Sequence, residues 1–539
     1  MRRRSVTGDG PDQGWLMSPD PRQWLPQGHL AWSVLAQVRQ MDLSAFGAAY
    51  RADRLGGKPY DPAMMCGLLL YCYCKRLRSC RDIEMATFDD VGARVICGNL
   101  HPDHSTVANF IRRHRQAVCA LLPESVKACA RQGLVCVEVV AGDGTKLKAN
   151  AAKAANVTGE ELAAQIAGLE ELIAAGVAAW VAEQLAADDS DATVAAPRAA
   201  GGDGPGTGTG AGGGKKVPKR AAQTLARRQA ARGQLAARQA ARADQEQGKL
   251  EARAAELAQR VARKQAAADK AVALAAARQD KWQRRQAEAA AGGKQVFGRR
   301  PAGPDADRDV IRTRAQLAKA REQADATAAA LAAGPAADGA AQVNTTDWTS
   351  RIMPLKKGGF DQLFNVQALA TAGKQVIVAI MRHDNPADAG ALVPLLSAGQ
   401  AVLGAAGITG PVGKAAFDAG YASDANFTAE AGAELYVALG RDGGRGSSDR
   451  DLAGMAQSWQ DMAARLSTPE GKAVYAKRAA TIEPVFAQLT GRLGRDLHYR
   501  DEMVDAELSL WAASHNLLKA IKAATARQTR QARAIPAAV

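Results

Sequence analysis

The chain has 539 residues, of which 70 are Lys or Arg and 55 are Asp or Glu, so its formal net charge is +15. This length predicts several domains, and the positive charge favours a polyanionic partner such as a nucleic acid. No long apolar run follows the charged N-terminal segment, so the sequence predicts neither a secretory signal nor a membrane span, and we expect a cytoplasmic protein.

The eight cysteines do not indicate a disulfide framework. Cys66, Cys72, Cys74 and Cys80 have a spacing that matches neither a zinc site nor a CXXC redox pair. We therefore predict reduced, partly buried thiols on helices.

Residues 1–130 are predicted to be helical. Pro62 suits the first turn of a helix, because its missing N–H costs nothing there. Ser79 suits the cap of the next helix, because its hydroxyl can accept a hydrogen bond from a first-turn N–H.

A helix predicted over residues 107–115 combines an apolar face with a basic end. Three arginines crowd its C-terminal part: Arg112, Arg113 and Arg115. The pattern is similar to the last helix of a helix-turn-helix unit, so we expect these arginines to contact DNA. An ordinary amphipathic helix with a solvated basic edge is the alternative.

Residues 151–343 differ sharply from both flanks, because Ala, Arg, Gln and Glu dominate, which favours helix. Thr158 and Glu161 have the spacing of a capping box. The apolar residues that follow have the 4-3-4 spacing of a coiled-coil seam: Leu162, Ile166, Leu169 and Ile173. A Gly- and Pro-rich stretch predicts a flexible loop over residues 187–220.

A basic run begins the second half of this insertion. It includes Lys215, Lys216, Arg227 and Arg228. We predict that these residues contact DNA phosphates, because they concentrate positive charge beside a glycine-rich hinge. A solvated helix face is the alternative.

After the insertion the sequence becomes globular again. Residues 364–369 and 375–380 are short and partly β-branched, with a turn between them, so they predict a β-hairpin. A helix is predicted over 388–403, then a strand that ends before Asp418, a strand over 434–439 and helices to the end. The order is that of an α/β fold with a helical insertion after its first strand.

Three acidic residues lie far apart in the sequence. Asp143 and Asp418 each end an apolar run typical of a buried strand, and Glu483 precedes Pro484 in a basic, helix-like stretch. Carboxylates at strand ends are well placed to gather Mg²⁺ or Mn²⁺, which prefer oxygen ligands. Pro484 fits the first turn of a helix, which would put Glu483 near a positive helix end. A single such Asp is usually a turn former or a helix cap.

Other polar residues have structural interpretations. Asp384, Asn385 and Asp388 have the pattern of a helix start with an Asp cap. Asp347 fits either a cap or a group that supports the acidic residues. His515 and Asn516 are predicted to be packing and capping residues of a late helix.

An ordered series of motifs on both sides of the insertion resembles a known family. The motifs are residues 25–30, 60–62, 68–71, 78–81, 102–106, 143–146, 365–367, 418–421, 482–486 and 515–519. Together they are similar to bacterial insertion-sequence transposases of the DDE type. The resemblance implies an α/β, RNase H-like catalytic domain with a mixed sheet, interrupted by the long helical insertion and preceded by an all-α DNA-binding domain.

The resemblance also implies a site. Asp143, Asp418 and Glu483 would be the catalytic residues and would bind two Mg²⁺ or Mn²⁺ ions. Water would cut a phosphodiester at the transposon end, and the 3′-hydroxyl released would attack target DNA. Tyr475 and Arg478 match a Tyr/Arg signature ahead of the glutamate, and Arg478 would clamp a phosphate with its planar fork.

Lys146, in the first catalytic motif, is a further candidate for DNA contact. The chain departs from the family pattern at two places. Thr490 stands where relatives often have a lysine, with Arg492 and Lys477 as candidate replacements. Residues 368–371 lack an aspartate that many relatives carry after the Asn-X-Gln motif, and we interpret it as a lost support residue.

The predicted domains are a DNA-binding domain (1–130), a catalytic domain (131–150 and 344–525), the insertion (151–343) and a basic tail (526–539). The expected partners are double-stranded DNA, at the transposon ends and the target, and a second copy in a homodimer on DNA, with no membrane and in association with the nucleoid. A catalytically decayed transposase that acts as a DNA-binding repressor is the alternative. A helical scaffold or RNA-binding protein, dominated by the insertion, is a third interpretation.

Overall fold

The computed structural model describes residue 20 and residues 23–47, 59–192, 216–292, 298–334, 341–355, 358–440 and 455–534. The chain divides into two units. Unit 1 comprises Met1–Ala155 and Thr346–Val539, and unit 2 comprises Asn156–Thr345.

Helices make up the part of unit 1 that precedes its sheet. They are α1 (Leu30–Val38), α2 (Ser44–Gly47), α3 (Pro62–Cys74), α4 (Cys80–Asp89), α5 (Val91–Ile96), α6 (His104–Arg113), α7 (Arg115–Cys119) and α8 (Leu121–Arg131). Both predicted helix starts are confirmed. Pro62 is the first residue of α3, and the Ser79 hydroxyl accepts a hydrogen bond from Asp82 N at 3.1 Å at the start of α4.

The strands, in chain order, are β1 (Val139–Lys148), β2 (Asn156–Thr158), β3 (Gln342–Asn344), β4 (Arg351–Pro354), β5 (Phe360–Thr371), β6 (Ile377–His383), β7 (Lys414–Phe417) and β8 (Glu434–Val437). β2 and β3 pair with each other in unit 2, and the other strands form one six-stranded sheet. β1 lies at its centre, antiparallel to β5 and parallel to β7, and β8 runs parallel to β7 at one edge.

The other edge of the sheet is shared by two strands. β6 and β4 pair end to end along β5, both antiparallel to it. The predicted hairpin is therefore confirmed as β5–β6. The strand order is β6 or β4, then β5, β1, β7 and β8.

The remaining helices are α9 (Gly159–Ala192), α10 (Lys216–Ala291) and α11 (Arg308–Ala333) in unit 2, and α12 (Leu392–Ala405), α13 (Asp424–Thr428), α14 (Gln457–Ser467), α15 (Pro469–Leu493) and α16 (Met503–Ala534) in unit 1. In unit 1, α8, α12, α15 and α16 pack on the sheet. β5 is buried at every position from 362 to 371, as expected for a strand covered on both faces. A mixed α/β fold with a long helix between the N-terminal helices and the C-terminal part is confirmed.

One hydrophobic core joins the N-terminal helices to the sheet. Asn516, on α16, is completely buried. Its side chain accepts a hydrogen bond from Ile377 N at 2.9 Å and donates to the Ile377 carbonyl at 2.9 Å and to Ser125 Oγ at 3.1 Å. His515 Nε2 lies 3.0 Å from the Gln375 carbonyl. The predicted packing roles of both residues are confirmed.

The cysteines are free thiols, as predicted. Those on α3, Cys66, Cys72 and Cys74, are buried, and burial raises their pKa values. Buried thiols with raised pKa values are poor nucleophiles and poor metal ligands at neutral pH.

Unit 2 is built from α9, α10 and α11 with the β2–β3 pair. The predicted capping box forms at the start of α9, since Thr158 N donates to Glu161 Oε2 at 2.8 Å and Glu161 N donates to Thr158 Oγ1 at 3.3 Å. The predicted seam is only partly buried: Leu162 and Ile166 are buried, whereas Leu169 and Ile173 are half-buried.

The ends of the loop predicted over residues 187–220 are wrong, because helices occupy them. α9 continues to Ala192 and α10 begins at Lys216, because alanine-rich sequence extends the helices. Residues 193–215 lie outside the part of the chain that the structure describes.

One segment of α9, Gly159–Ala179, is long and apolar enough to cross a membrane by length and composition. The sequence predicted no such segment. One such helix is weak evidence of a membrane span, and in this segment alanine supplies much of the apolar character.

Candidate active site

Asp143 lies in the middle of β1, not at the end of a strand as predicted. The cause is unequal pairing on the two sides of β1. β5 pairs with β1 as far as Lys148, whereas β7 pairs only as far as the Ala141–Ala416 pair. Asp143 therefore stands where the parallel pairing stops and its side chain is only half-buried.

Asp418 follows β7 directly, as predicted. Asp143 and Asp418 are each two residues beyond the paired Ala141 and Ala416, so the parallel register sets them level on neighbouring chain segments. Asp418 Oδ1 accepts a hydrogen bond from Gly420 N at 2.9 Å, which fixes the carboxylate at the start of a short 3-10 turn.

Two glycines flank Asp143, and both are required by close packing. A Cβ on Gly142 would strike the ring of Phe417, and a Cβ on Gly144 would strike Gln367 Nε2 and come within 2.8 Å of Asp388 Oδ1. Side chains alternate between the faces of a strand, so both glycines open the face opposite Asp143. The strand can then lie directly on this buried layer.

Glu483 lies well inside α15, so the prediction of a helix start at Pro484 is wrong. A proline inside a helix cannot donate to the carbonyl four residues earlier, here that of Ala480. Gln375 Nε2 donates to that carbonyl at 2.9 Å and replaces the missing bond. Glu483 is therefore held by the middle of a helix that packs on β1, and the helix dipole has little effect on it.

Arg478 connects two of the three predicted acidic residues. Its Nη1 lies 3.3 Å from Asp143 Oδ2, and its Nη2 lies 3.5 Å from Glu483 Oε1. The Arg478 guanidinium also lies 6.0 Å from the centre of the Tyr475 ring, one helical turn earlier. The structure thus brings Asp143, Glu483, Arg478 and Tyr475 together.

The electrostatics of the site reflect its crowding. Burial raises the pKa of Asp143, and the neighbouring carboxylates of Asp418 and Asp388 raise it further, while the Gly144 N–H and Arg478 act in the opposite direction. Burial works against the charge of Arg478, but the negative charges around it raise its pKa overall. The acids therefore repel one another, and a cation between them relieves that repulsion.

The donor set suits a hard divalent cation, because every candidate ligand is a carboxylate oxygen. The Arg478 guanidinium already bridges Asp143 and Glu483, which shows that positive charge is accommodated there. In the described part of the chain, however, no three His, Cys, Asp or Glu side chains are close enough to hold one ion.

The sequence interpretation missed the role of Asp388. Asp388 occupies the cap position of a 3-10 turn, but its side chain makes no capping bond, so the predicted cap is wrong in this respect. Its Oδ1 instead accepts hydrogen bonds from Asn365 Nδ2 and Gln367 Nε2, each at 2.8 Å. Gln367 Oε1 in turn accepts from the Tyr421 hydroxyl. The motifs 365–367 and 418–421 contain the other members of this hydrogen-bond network, but the acceptor, Asp388, lies outside both motifs.

The arginines of the N-terminal helices differ in their surroundings. Arg112 and Arg113 are exposed at the end of α6. Arg115 is on the separate helix α7, because the helix is interrupted at His114. The Nη2 atom of Arg115 lies 2.9 Å from Glu502 Oε2. Lys146 is half-exposed on β1, three residues after Asp143.

The basic run of the insertion is only partly described. Lys215 lies outside the described residues, and α10 begins at Lys216, whose side chain is not described. Arg227 is exposed, whereas Arg228 is half-buried and its Nη1 donates to the Thr345 carbonyl at 3.1 Å within unit 2.

Arg492 and Lys477, the two candidates to replace the lysine that relatives have at the position of Thr490, differ in their exposure. Arg492 Nη2 donates to the Cys74 carbonyl at 3.1 Å and is half-buried, whereas Lys477 is exposed on α15. Asp347 is buried and accepts from Thr349 N and Asp501 N, so it holds two loops together.

Comparisons with known proteins agree with the resemblance. Residues 19–113 match the family described as "Transposase domain (DUF772)", and residues 450–521 match the family described as "Transposase DDE domain". The second match includes Tyr475, Arg478 and Glu483 and leaves Asp143 and Asp418 outside it. No curated protein and no solved structure gives a match. The two family matches support an insertion-sequence transposase of the DDE type.

Proposed function

We propose that this transposase-like chain binds the terminal inverted repeats of an insertion sequence and catalyses metal-dependent DNA cleavage and strand transfer. The observation that carries the proposal is that Arg478 joins Asp143 to Glu483, while the parallel register of β1 and β7 sets Asp418 level with Asp143. This arrangement occurs in a chain with transposase matches on both sides of its insertion.

The strand order supports an RNase H-like catalytic fold. With the insertion and the short edge strand β4 set aside, the strands follow one another as β1, β5, β6, β7 and β8. Across the sheet these five strands lie in the order third, second, first, fourth and fifth. The β1–β5 and β5–β6 pairs are antiparallel, and the β1–β7 and β7–β8 pairs are parallel. In this proposal α15 supplies the glutamate beside the central strand β1 and the end of β7, which already carry the two aspartates.

Asp143, Asp418 and Glu483 would hold two Mg²⁺ or Mn²⁺ ions. When bound, such ions activate an attacking oxygen and stabilise a leaving one. The protein itself positions the acids: the parallel register sets the two aspartates level, and the packing of α15 fixes Glu483. Arg478 is placed to exchange its carboxylate partners for a DNA phosphate, whose two oxygens suit its planar fork.

The experiment is a cleavage assay with purified full-length protein, Mg²⁺ and a labelled duplex that carries the terminal inverted repeats. We expect cleavage by the wild type and none by Asp143→Ala, Asp418→Ala or Glu483→Ala, each with DNA binding retained. Asp461→Ala, which removes an exposed carboxylate on α14, is the matched control and should cleave normally. Wild-type binding without cleavage would favour the repressor alternative.

The proposal extends to assembly and location. Two transposon ends must be held during strand transfer, so we propose a homodimer on DNA. A chain with a net charge of +15 would concentrate on the nucleoid in the cytoplasm. Sedimentation of the protein with and without end DNA tests the dimer. A complex of two protein chains with two DNA ends is expected, and a complex of one chain with one end contradicts the dimer.

A further inference from the structure

Building on the proposed function, we propose that Asp388 is a positioning residue that adds a fourth negative charge behind Asp143 and Asp418 and thereby strengthens cation binding. The residue belongs to none of the predicted catalytic motifs. Its place in the fold gives it contact with both aspartate-bearing segments.

Asp388 lies in a turn between β6 and α12 that hydrogen bonds hold in place. Its carboxylate accepts two amide N–H bonds from Asn365 and Gln367, which lie two residues apart on β5 and so share one face of the strand. The turn's backbone is held as well, because Asn365 Nδ2 donates to the Asn385 carbonyl at 2.9 Å and Asn426 Nδ2 donates to the Ala389 carbonyl at 2.6 Å. The carboxylate therefore has one fixed position.

The same carboxylate lies against the backbone of both aspartate segments. A Cβ on Gly144, next to Asp143, would come within 2.8 Å of Asp388 Oδ1. A Cβ on Gly420 would lie 3.3 Å from Asp388 Oδ2 and 3.1 Å from Asp418 Oδ1. The two glycines thus leave room for the Asp388 carboxylate beside both segments.

A hydrogen-bond chain ties this position to the Asp418 turn. The Tyr421 hydroxyl donates to Gln367 Oε1, and Gln367 Nε2 donates to Asp388. Tyr421 is fully buried and belongs to the 3-10 turn that Asp418 begins. A shift of Asp388 would therefore move the turn that carries Asp418.

The charge of Asp388 has a direct consequence for cations. The Cβ position of Gly420 lies within contact of both Asp388 Oδ2 and Asp418 Oδ1, so the two carboxylates are neighbours. A negative charge this close to a proposed ligand attracts a cation, and the attraction grows with the charge of the cation. Asp388 thus strengthens cation binding even without contacting the ion.

The test measures Mn²⁺ binding to the full chain without DNA, by electron paramagnetic resonance. Asp388→Asn keeps the shape and an acceptor oxygen but removes the charge, and we expect the Mn²⁺ concentration at half-saturation to rise about tenfold. Asp388→Glu keeps the charge and should stay within about threefold of the wild type. Asp384→Asn is the matched control, because it removes a carboxylate that is 67% exposed in the same turn and should leave Mn²⁺ binding unchanged.

Thermal unfolding in EDTA separates a structural role from the proposed one. A residue that only supports the fold would lower the Tm and leave the Mn²⁺ midpoint where it is, and that result overturns the proposal. Equal weakening by Asp388→Asn and Asp388→Glu, or by Asp384→Asn, overturns it too. If the wild type binds no Mn²⁺, the proposed function itself fails and takes the role of Asp388 with it, whereas normal wild-type binding with an unaffected Asp388→Asn rejects only the role of Asp388.

Discussion

The Arg478 guanidinium lies 3.3 Å from the Asp143 carboxylate, and the two side chains are only 14% and 21% exposed. At this burial a charge depends on its partner, because water screens it incompletely. Arg478 also reaches Glu483 at 3.5 Å, so one cation balances two of the three acids. In the described structure this arginine holds the site together.

Removal of the positive charge of Arg478 should destabilise the metal-free protein. We expect Arg478→Gln to lower the free energy of unfolding in EDTA by about 1 to 2 kcal/mol, because the half-buried Asp143 loses its partner. Mn²⁺ should recover most of the loss by replacing the positive charge. Urea titrations with and without Mn²⁺ measure both effects. Lys472→Gln, on an exposed position of the same helix, is the control, and an equal loss there would contradict the role of Arg478.

Glu507 should make stability depend on pH. It is completely buried, its carboxylate accepts from His498 N and Tyr499 N, and Arg78 Nη1 lies 3.5 Å away. Burial outweighs these partners and raises its pKa from 4.5 to about 7. A carboxyl with a raised pKa stabilises the fold below its unfolded pKa, and this contribution is lost as the pH rises through the folded pKa.

The measurement compares the wild type with Glu507→Gln by urea titration at several pH values. The stability of the wild type relative to the variant should fall by about 3 kcal/mol between pH 4.5 and pH 7.5. The exposed Glu430→Gln serves as control and should show no such trend. A constant difference between the wild type and Glu507→Gln would mean that folding does not raise the pKa of Glu507.

Gly144 should not tolerate a side chain. Gly144→Ala places a methyl group against Gln367 and Asp388, so we expect a loss of about 2 kcal/mol in the free energy of unfolding and reduced cleavage. Gly491→Ala is the control, because Gly491 lies within α15 and a Cβ there would have no neighbour within 4 Å. This substitution should stabilise the helix by about 0.5 to 1 kcal/mol. Unchanged stability in Gly144→Ala would show that β1 can move off the buried layer.

Much of this architecture could be predicted from local sequence patterns. The β5–β6 hairpin, the cap at Ser79 and the capping box at Thr158 all follow from short-range rules, and the structure confirms them. Pro484 was misjudged because its tolerance depends on Gln375, which is more than a hundred residues away. Such long-range compensation is not visible in a helix pattern.

In the candidate site, too, local patterns predicted some features and missed those that depend on distant residues. The motifs located the acids, but the position of Asp143 inside β1 depends on where β7 stops pairing. The role of Asp388 depends on amides that β5 presents to it. Sequence spacing carries neither fact, because both arise from pairing between distant strands.

The exposed arginines of α6 should contribute to DNA affinity through phosphate contacts. We expect the double variant Arg112→Gln/Arg113→Gln to weaken binding and to flatten the slope of log affinity against log salt by about 1 to 2. Arg115→Gln is the control, because Arg115 is already paired with Glu502 at 2.9 Å. Fluorescence anisotropy over a salt series measures the slopes, and an unaltered slope in the double variant would favour a merely solvated helix edge.

Two neighbouring arginines of α10 should separate DNA contact from folding. Arg227 is exposed, so Arg227→Gln should flatten the salt slope by about 0.9 and leave stability unchanged within about 0.5 kcal/mol. Arg228 donates to the Thr345 carbonyl, so Arg228→Gln should instead destabilise the β2–β3 region by about 1 kcal/mol. Hydrogen exchange of residues 342–344 and salt titrations of DNA binding distinguish the two effects. An equal loss of slope in both variants would show that Arg228 leaves Thr345 when DNA binds.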